Sequence, residues 1–246
     1  MSNSDIDPAV LAELAPTGTL RAGINLSNFL LVTGEAENGD PVGVSPDVAA
    51  EIARRLGVAV QFVTYPSPGA LADASDHDEW DIGNIGAEPQ RAETITFTAA
   101  YSEIEATYLV PAGSPIKIIA DVDRPGVRVA VKDRAAYGLW LENNLQFAEL
   151  VRTETIDASF DVFVDQRLDV LAGLRPRLIS DVARLSGARI LSGQFSAVQQ
   201  AVGTPQKNVA AAIWLRDVVE DLKSSGFIAK LIKRHNVKGL SVAPLA

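Results

Sequence analysis

Arg91 is the side chain in this sequence best suited to bind a small anion. It lies in the run EPQRAETITFTAAY (residues 88–101), two residues after Pro89. A guanidinium presents a rigid fork of donors that matches both oxygens of a carboxylate, which a lysine ammonium does not. The proline predicts the start of a helix, whose amide N–H groups also favour an anion. Arg91 is therefore a candidate carboxylate ligand; the alternative is a surface arginine paired with Glu88 or Glu93.

The composition excludes several classes of chemistry. The 246 residues contain no cysteine and only two histidines, His77 and His235, which both lie among charged residues typical of a solvated surface. Thiol nucleophiles, thiolate metal sites and a Ser-His-Asp triad are therefore not expected, and we expect no catalytic residue and no metal. Glycine-rich phosphate loops are missing, so no nucleotide cofactor is expected. The formal net charge of −9 argues against nucleic acid as a partner.

The N-terminal segment bears on where the protein works. Residues 1–8 contain neither the basic region nor the apolar region of a secretory signal peptide. The protein is then expected to be periplasmic if a signal peptide has been removed, and cytoplasmic otherwise. No apolar run approaches the 18 residues that would predict a membrane span.

Strand and helix signals alternate along the chain. Strands are predicted at residues 20–24, 58–63, 81–85 and 108–111, with a helix from 45 to Gly57 between the first two. A second series begins near Gly113, with strands at 127–131, 150–154, 168–172 and 189–191 and helices at 135–145 and 158–165. Residues 199–203 form a further strand, and residues 209–235 have a helical period that breaks at Gly226. The order predicts an α/β protein built from two units.

Six motifs in this order resemble those of a known family. They are TGTLRAGI (17–24), GVSPDVAAEIARRLG (43–57), EWDI (79–82), the run 88–101, residues 118–131, and RLDVLA (167–172). The run 88–101 resembles the T-x-x-R-x-x-x-x-x-F-S-x-P-Y block, the most specific of the six. The chain is thus similar, over residues 15–235, to the type II periplasmic binding proteins that serve polar amino-acid ABC importers.

The resemblance implies a fold, a division of the chain into two lobes, and a role for the protein. The fold would be the two-lobed type II periplasmic-binding-protein fold with two hinge crossings, near residues 110–113 and 200–205. Lobe I would comprise residues 1–110 and 203–246, and lobe II residues 111–202. The protein would be a monomeric bacterial solute-binding component of an ABC importer, not an enzyme, that closes on an amino acid or a related small carboxylate. An ABC permease is the expected partner.

The resemblance also assigns ligand-binding residues in lobe I. Arg91 would hold the ligand carboxylate. The loop after the first strand would supply polar groups and an aromatic wall through Asn25, Asn28 and Phe29. Asn84 and Gly86, at the end of the third strand, would offer donors and acceptors, although the hydroxyl residues common in the family are missing there.

Lobe II departs further from the family pattern. Arg134, Ala135 and Ala136 stand where the family has a small Gly-Ser/Thr-Ser/Thr turn at a helix N-terminus. Leu174 and Arg175 stand where members that bind α-amino acids carry an acidic residue. Burying an ammonium group without a carboxylate partner costs roughly several kcal/mol of free energy. We therefore expect a ligand that lacks a free α-amino group or that carries a second anionic group for Arg175.

Four alternatives stay open. Glu103 or Glu105 could supply the missing negative charge, and Arg175 could be a surface arginine in a loop. The same glutamates could serve as the acid of an enzyme that resembles cyclohexadienyl dehydratase. The chain could also be a cytoplasmic ligand sensor that works without a permease.

Overall fold

The computed structural model describes residues 6–246, which form two α/β units. The first unit holds the described residues up to Glu103 together with Gln199–Ala246, and the second unit holds Ile104–Val198. The lobe boundaries after residues 110 and 202 stay a prediction. The interpretation of the N-terminal segment concerns mainly residues 1–5, which lie outside the described residues.

The first unit is built on a mostly parallel sheet. Its strands are β1 (Thr19–Asn25), β4 (Ala59–Tyr65), β5 (Ile82–Gly86) and the second half of β12 (Ser196–Pro205), in the order β4-β1-β5-β12. β1 is parallel to both β4 and β5, and β12 is antiparallel to β5. Two short strands add to it: β6 (Ile95–Phe97) pairs with β12, and β13 (Ser241–Val242) pairs with the strand that begins at Ser102. The short strands β2 (Gly34–Glu35) and β3 (Pro41–Val42) pair with each other in a two-stranded sheet.

Within residues 6–246, five α-helices belong to the first unit. They are α1 (Pro8–Leu14), α2 (Val44–Leu56), α3 (Pro68–Asp73), α7 (Val209–Ser224) and α8 (Phe227–Arg234). α2 ends at Gly57, which takes the left-handed conformation (φ 75°) that glycine adopts without penalty. The break between α7 and α8 falls at Gly226 (φ 74°), as predicted.

The second unit repeats the plan with strands of its own. Its strands are β7 (Ser102–Val110, which starts in the first unit), β8 (Arg128–Lys132), β9 (Glu149–Thr153), β10 (Val170–Leu174) and β11 (Arg189–Ile190). β8 lies between β9 and β10 and is parallel to both, while β10 is antiparallel to β7. The helices are α4 (Ala136–Asn144), α5 (Ile156–Asp165) and α6 (Arg175–Val182).

An ion pair and an indole fix the spacing of β1 and β5. The Asp81 carboxylate accepts hydrogen bonds from the Arg21 backbone N–H (2.7 Å) and from its Nη2 (2.6 Å). Gly23 and Gly83 are paired across the two strands, and the Trp80 ring packs over both because neither carries a side chain. The Trp80 indole N–H donates to the Leu71 carbonyl at 3.0 Å, so its polar atom is satisfied. These contacts hold β1 and β5 side by side.

The predicted elements are found within a few residues of their predicted positions, but the structure also differs from the prediction. The helices α1 and α3 and the short strands β2, β3, β6 and β13 were not predicted. Arg175 begins a helix, so the expectation that it lies in a loop is wrong. The helix predicted after Pro89 is a single 3-10 turn, Arg91–Glu93. None of the helices in residues 6–246 is long and apolar enough to cross a membrane.

We expect Gly203→Ala to destabilise the first unit. A Cβ at Gly203 would lie 2.4 Å from Ile95 Cγ2 and 2.9 Å from Phe97 Cε1, so these two packed side chains would have to move. Overpacking of this kind costs about 1–3 kcal/mol, measurable by urea unfolding. Gly34→Ala is the control, because nothing lies within 4 Å of its added Cβ. Equal stabilities of the two variants would contradict the prediction.

Candidate functional site

The carboxyl edge of the first unit's sheet brings several predicted residues together. Ile24 of β1 is paired with Asn84 of β5, so Asn25 and Gly86 follow on adjacent strands at the same edge. Open α/β sheets bind ligands outside the carboxyl ends of their parallel strands. This edge is therefore the part of the first unit best placed to receive a small molecule.

The loop after β1 is held in shape by two asparagine side chains. Asn25 Oδ1 accepts from the Ser27 backbone N–H (3.1 Å) and its hydroxyl (2.8 Å), and Asn28 Oδ1 accepts from the Leu30 N–H (3.2 Å). Such Asx turns occupy the amide oxygens and leave the NH₂ groups as donors. The Phe29 ring is 40% exposed beside them. The loop thus presents amide donors and an apolar surface.

Asn84 is buried and only half satisfied. Its Nδ2 donates to the Ser45 carbonyl at 3.1 Å, which ties β5 to the first turn of α2. Its Oδ1 has no hydrogen-bond partner among the described residues. A buried amide oxygen without a donor is unusual, so this oxygen is available to a water or a ligand donor.

Arg91 is almost completely buried, with 5% of its surface exposed. Its Nη1 donates to the Gly86 carbonyl at 2.7 Å, so the guanidinium is anchored at the end of β5. The backbone N–H groups of Arg91 and Ala92 both bond to the Glu88 carbonyl, each at 3.0 Å. The expected set of free helix N–H groups is therefore not found here, because the chain makes one tight turn instead of a helix.

Glu88 is a further buried charge at this edge, which sequence reasoning treated only as an alternative partner of Arg91. It is 9% exposed, and burial raises the pKa of its carboxyl from 4.5 to about 7, although the nearby Arg91 guanidinium acts in the opposite direction. Its carboxylate makes no hydrogen bond to any residue in 6–246. The acidic residue two positions after a strand end was visible in the sequence, but its burial was not.

The carboxyl edge of the second unit carries the other predicted residues. β8 and β10 are parallel neighbours, so Arg134–Ala136 and Arg175 follow adjacent strands. Arg134 is exposed and has φ 56°, in the left-handed region that favours glycine. Ala135 precedes α4, and its N–H bonds weakly to the Lys132 carbonyl (3.4 Å). Ala135 and Ala136 are buried, so they contribute backbone and shape to this edge.

Arg175 is engaged within the second unit. Its Nε pairs with the Glu105 carboxylate, and its Nη2 donates to the Gly193 carbonyl. The charge that was expected to meet an anionic ligand is therefore compensated by a carboxylate of the same unit. The neighbouring Leu174 is apolar and buried.

A small cavity in the second unit is a separate feature. It lies among α4, α5, α6 and β10 and is lined by Tyr137, Ser159 and the Arg177–Asp181 ion pair, whose Nε···Oδ1 distance is 2.9 Å. Burial raises the pKa of Asp181 above its usual value, against the effect of Arg177. The cavity volume of about 10 Å³ holds about one water and is too small for an organic ligand.

Comparison with known proteins assigns the chain to a family. Its sequence matches the bacterial extracellular solute-binding proteins, family 3, over residues 23–238. The chain belongs to this family. Its role is therefore solute binding, and the family name places its members outside the cytoplasm. None of the curated protein sequences compared matches the chain.

Several solved structures are similar to this solute-binding protein, and three of them identify its fold. A mutant of ArgBP from T. maritima is 23% identical, with a TM-score of 0.72, and covers 93% of this chain and 100% of that one. The ancestral amino acid-binding protein AncCDT-1, a precursor of cyclohexadienyl dehydratase, is 23% identical with a TM-score of 0.72. The match covers 93% of this chain and 99% of that one. A binding component of an ABC transporter from Wolinella succinogenes, complexed with lysine, is 18% identical with a TM-score of 0.72. The match covers 89% of this chain and 95% of that one. These likenesses confirm the predicted type II periplasmic-binding-protein fold.

The Glu88 carboxyl should make folding stability depend on pH. Because its folded pKa lies above 4.5, the folded protein holds an extra proton, and the free energy of unfolding falls as pH rises from about 4.5 to about 7. Glu88→Gln removes this penalty and should raise stability at pH 8 by on the order of 1 kcal/mol, with little gain at pH 4.5. Chemical unfolding across pH measures the difference, with Glu93→Gln, an exposed residue on the same turn, as control. A gain that does not depend on pH would contradict the pKa assignment.

Proposed function

We propose that this solute-binding protein binds an amino acid or a related small organic carboxylate, and that Arg91 holds the ligand carboxylate. The observation that carries the proposal is a buried guanidinium anchored to the Gly86 carbonyl at the carboxyl edge of a parallel sheet. A buried fork of donors binds a carboxylate strongly because water does not compete for it. The neighbours whose names mention arginine, lysine or amino acids support the same class of ligand.

The surrounding groups fit a small polar ligand with an apolar portion. The NH₂ groups of Asn25 and Asn28 offer donors, the unpartnered Asn84 Oδ1 offers an acceptor, and Phe29 offers an apolar wall. In the second unit, Arg134, Ala135 and Ala136 are proposed to contribute. Arg175 is proposed to act through its ion pair with Glu105 rather than as a free cation.

No chemical step is proposed. The alternative, a dehydratase that acts on a cyclohexadienyl substrate, has one supporting observation, the likeness to the ancestral precursor of such an enzyme. The glutamates first considered as its acid are poorly suited: Glu103 accepts from Gln199 Nε2 at 3.0 Å, and the Glu105 side chain is 55% exposed in an ion pair. Incubation with prephenate or arogenate decides this point, since formation of the aromatic product would establish the enzyme.

Import through an ABC permease, a monomeric state and a periplasmic location are proposed on the strength of the family alone. Deletion of the gene should then reduce uptake of the ligand by the source bacterium, and cell fractionation should find the protein outside the cytoplasm. Retention in the cytoplasm with normal uptake would favour the ligand-sensor alternative. Closure of the two units around the ligand stays a prediction, and a fall in the radius of gyration on ligand addition tests it.

Arg91→Ala should abolish binding of a carboxylate ligand. A screen of amino acids, dicarboxylates and aromatic acids by thermal shift identifies a ligand, and calorimetry then compares variants. Loss of a buried charged contact predicts an affinity at least about 100-fold weaker. Arg91→Lys keeps the charge but loses the fork, so we expect an intermediate loss.

The control for this experiment is Arg54→Ala, which removes an arginine whose side chain is 71% exposed on α2. Its affinity should equal that of the wild type. If Arg91→Ala folds, as judged by circular dichroism, and binds the ligand like the wild type, the assignment of the site is wrong.

A further inference from the structure

Glu88 occupies a rigid position at the same edge as Arg91. The N–H of the preceding Ala87 bonds to the Gln199 carbonyl at 2.8 Å, and Pro89 follows. The Glu88 carbonyl is fixed as well, since it accepts two N–H groups of the 3-10 turn. The backbone therefore fixes the position from which this side chain extends, and the residue is 9% exposed.

The pairing of Glu88 differs from that of the other buried carboxylates described. Asp81 is bonded directly to Arg21, and Asp181 is bonded directly to Arg177. The Glu88 carboxylate has no hydrogen bond in the described chain, and the Arg91 Nη1 is directed to the Gly86 carbonyl. Buried carboxylates are normally paired, because an unpaired charge in a protein interior is costly. Burial of the Glu88 carboxylate thus costs free energy, and no direct hydrogen bond from the described residues offsets that cost.

The electrostatic surroundings of Glu88 are simple. Within residues 6–246, Arg91 is the charged group that acts on the pKa of this carboxyl, and burial acts against ionisation. A buried positive charge and a buried negative charge therefore lie side by side. A ligand with a carboxylate alone would add a second negative charge near Glu88. A zwitterion would complement both groups.

We propose that Glu88 recognises the ammonium group of an α-amino acid while Arg91 holds its carboxylate. This inference rests on the proposed function and specifies its ligand class. It gives the site an acidic residue in the first unit, where the expected position at Leu174 and Arg175 offers none. The expectation of a ligand without an α-amino group loses its basis, because Arg175 is already paired with Glu105.

Matched pairs of ligands test whether Glu88 binds the ligand ammonium or only compensates the positive charge of Arg91. The pairs are arginine with 5-guanidinopentanoate, lysine with 6-aminohexanoate, and glutamine with glutaramate, each pair differing only in the α-amino group. In the wild type, the amino acid of the pair that binds should be favoured at least about 30-fold, the effect of one buried charge pair. Glu88→Gln should reduce this preference to a few-fold, and Glu93→Gln should preserve it.

The pH dependence provides a second readout. Binding an ammonium requires the ionised carboxylate, so wild-type affinity for the amino acid should rise between pH 5.5 and 7.5. Affinity for the partner without the α-amino group should fall over the same range, since it is favoured by the protonated carboxyl. Both profiles should flatten in Glu88→Gln.

The outcomes are distinct. A Glu88→Gln variant that keeps the wild-type preference for the amino acid, while Arg91→Ala loses binding, overturns the role of Glu88 and leaves the proposed function standing. Wild-type protein that binds both members of a pair equally has the same consequence. If no member of the carboxylate panel binds to the wild type, the proposed function fails and this inference fails with it.

Discussion

The hydrogen bond from the Arg91 guanidinium to the Gly86 carbonyl places a buried positive charge at the end of a parallel strand. A guanidinium stays charged at all physiological pH values, so the protein must compensate it or leave it to a ligand. The strand that carries this anchor is in turn held beside β1 by the Arg21–Asp81 ion pair and by Trp80, which requires glycine at positions 23 and 83. The packing between β1 and β5 thus sets the position of the guanidinium that is proposed to bind the ligand.

The regular elements of the fold follow from local sequence signals. Apolar periodicity predicted α2, α7 and α8, and glycines predicted the end of α2 and the break between α7 and α8. These two glycines, Gly57 and Gly226, take the left-handed backbone conformation that their positions require. Two of the helices that were not predicted, α1 and α3, have seven and six residues, too few for a clear period. Their signals were nevertheless present: Asp7 and Ser67 each cap the helix through the side chain and each precede a proline. Capping chemistry, applied without a demand for periodicity, would have found both.

The types of residue at the candidate site were predictable, but their pairing was not. Arg175 and Glu105 are 70 residues apart in sequence and meet only because β10 is antiparallel to β7. The state of Glu88 likewise depends on burial by residues distant in sequence. Local patterns cannot report either, since they contain no information on which strands become neighbours. The departure of this chain from its family at Arg175 is therefore reinterpreted, because the Glu105 carboxylate compensates the arginine charge.

An unpaired buried carboxylate is a poor solution for stability alone. The same chain shows how it satisfies such groups when stability is the sole demand, since Asp81 and Asp181 are bonded directly to arginines. At Glu88 the arginine is close, yet it is bonded to a main-chain oxygen instead, and the carboxyl keeps a pKa of about 7. Binding sites often retain groups whose charge is completed only by the ligand. The proposed zwitterionic ligand would bring an opposite charge to each member of this pair.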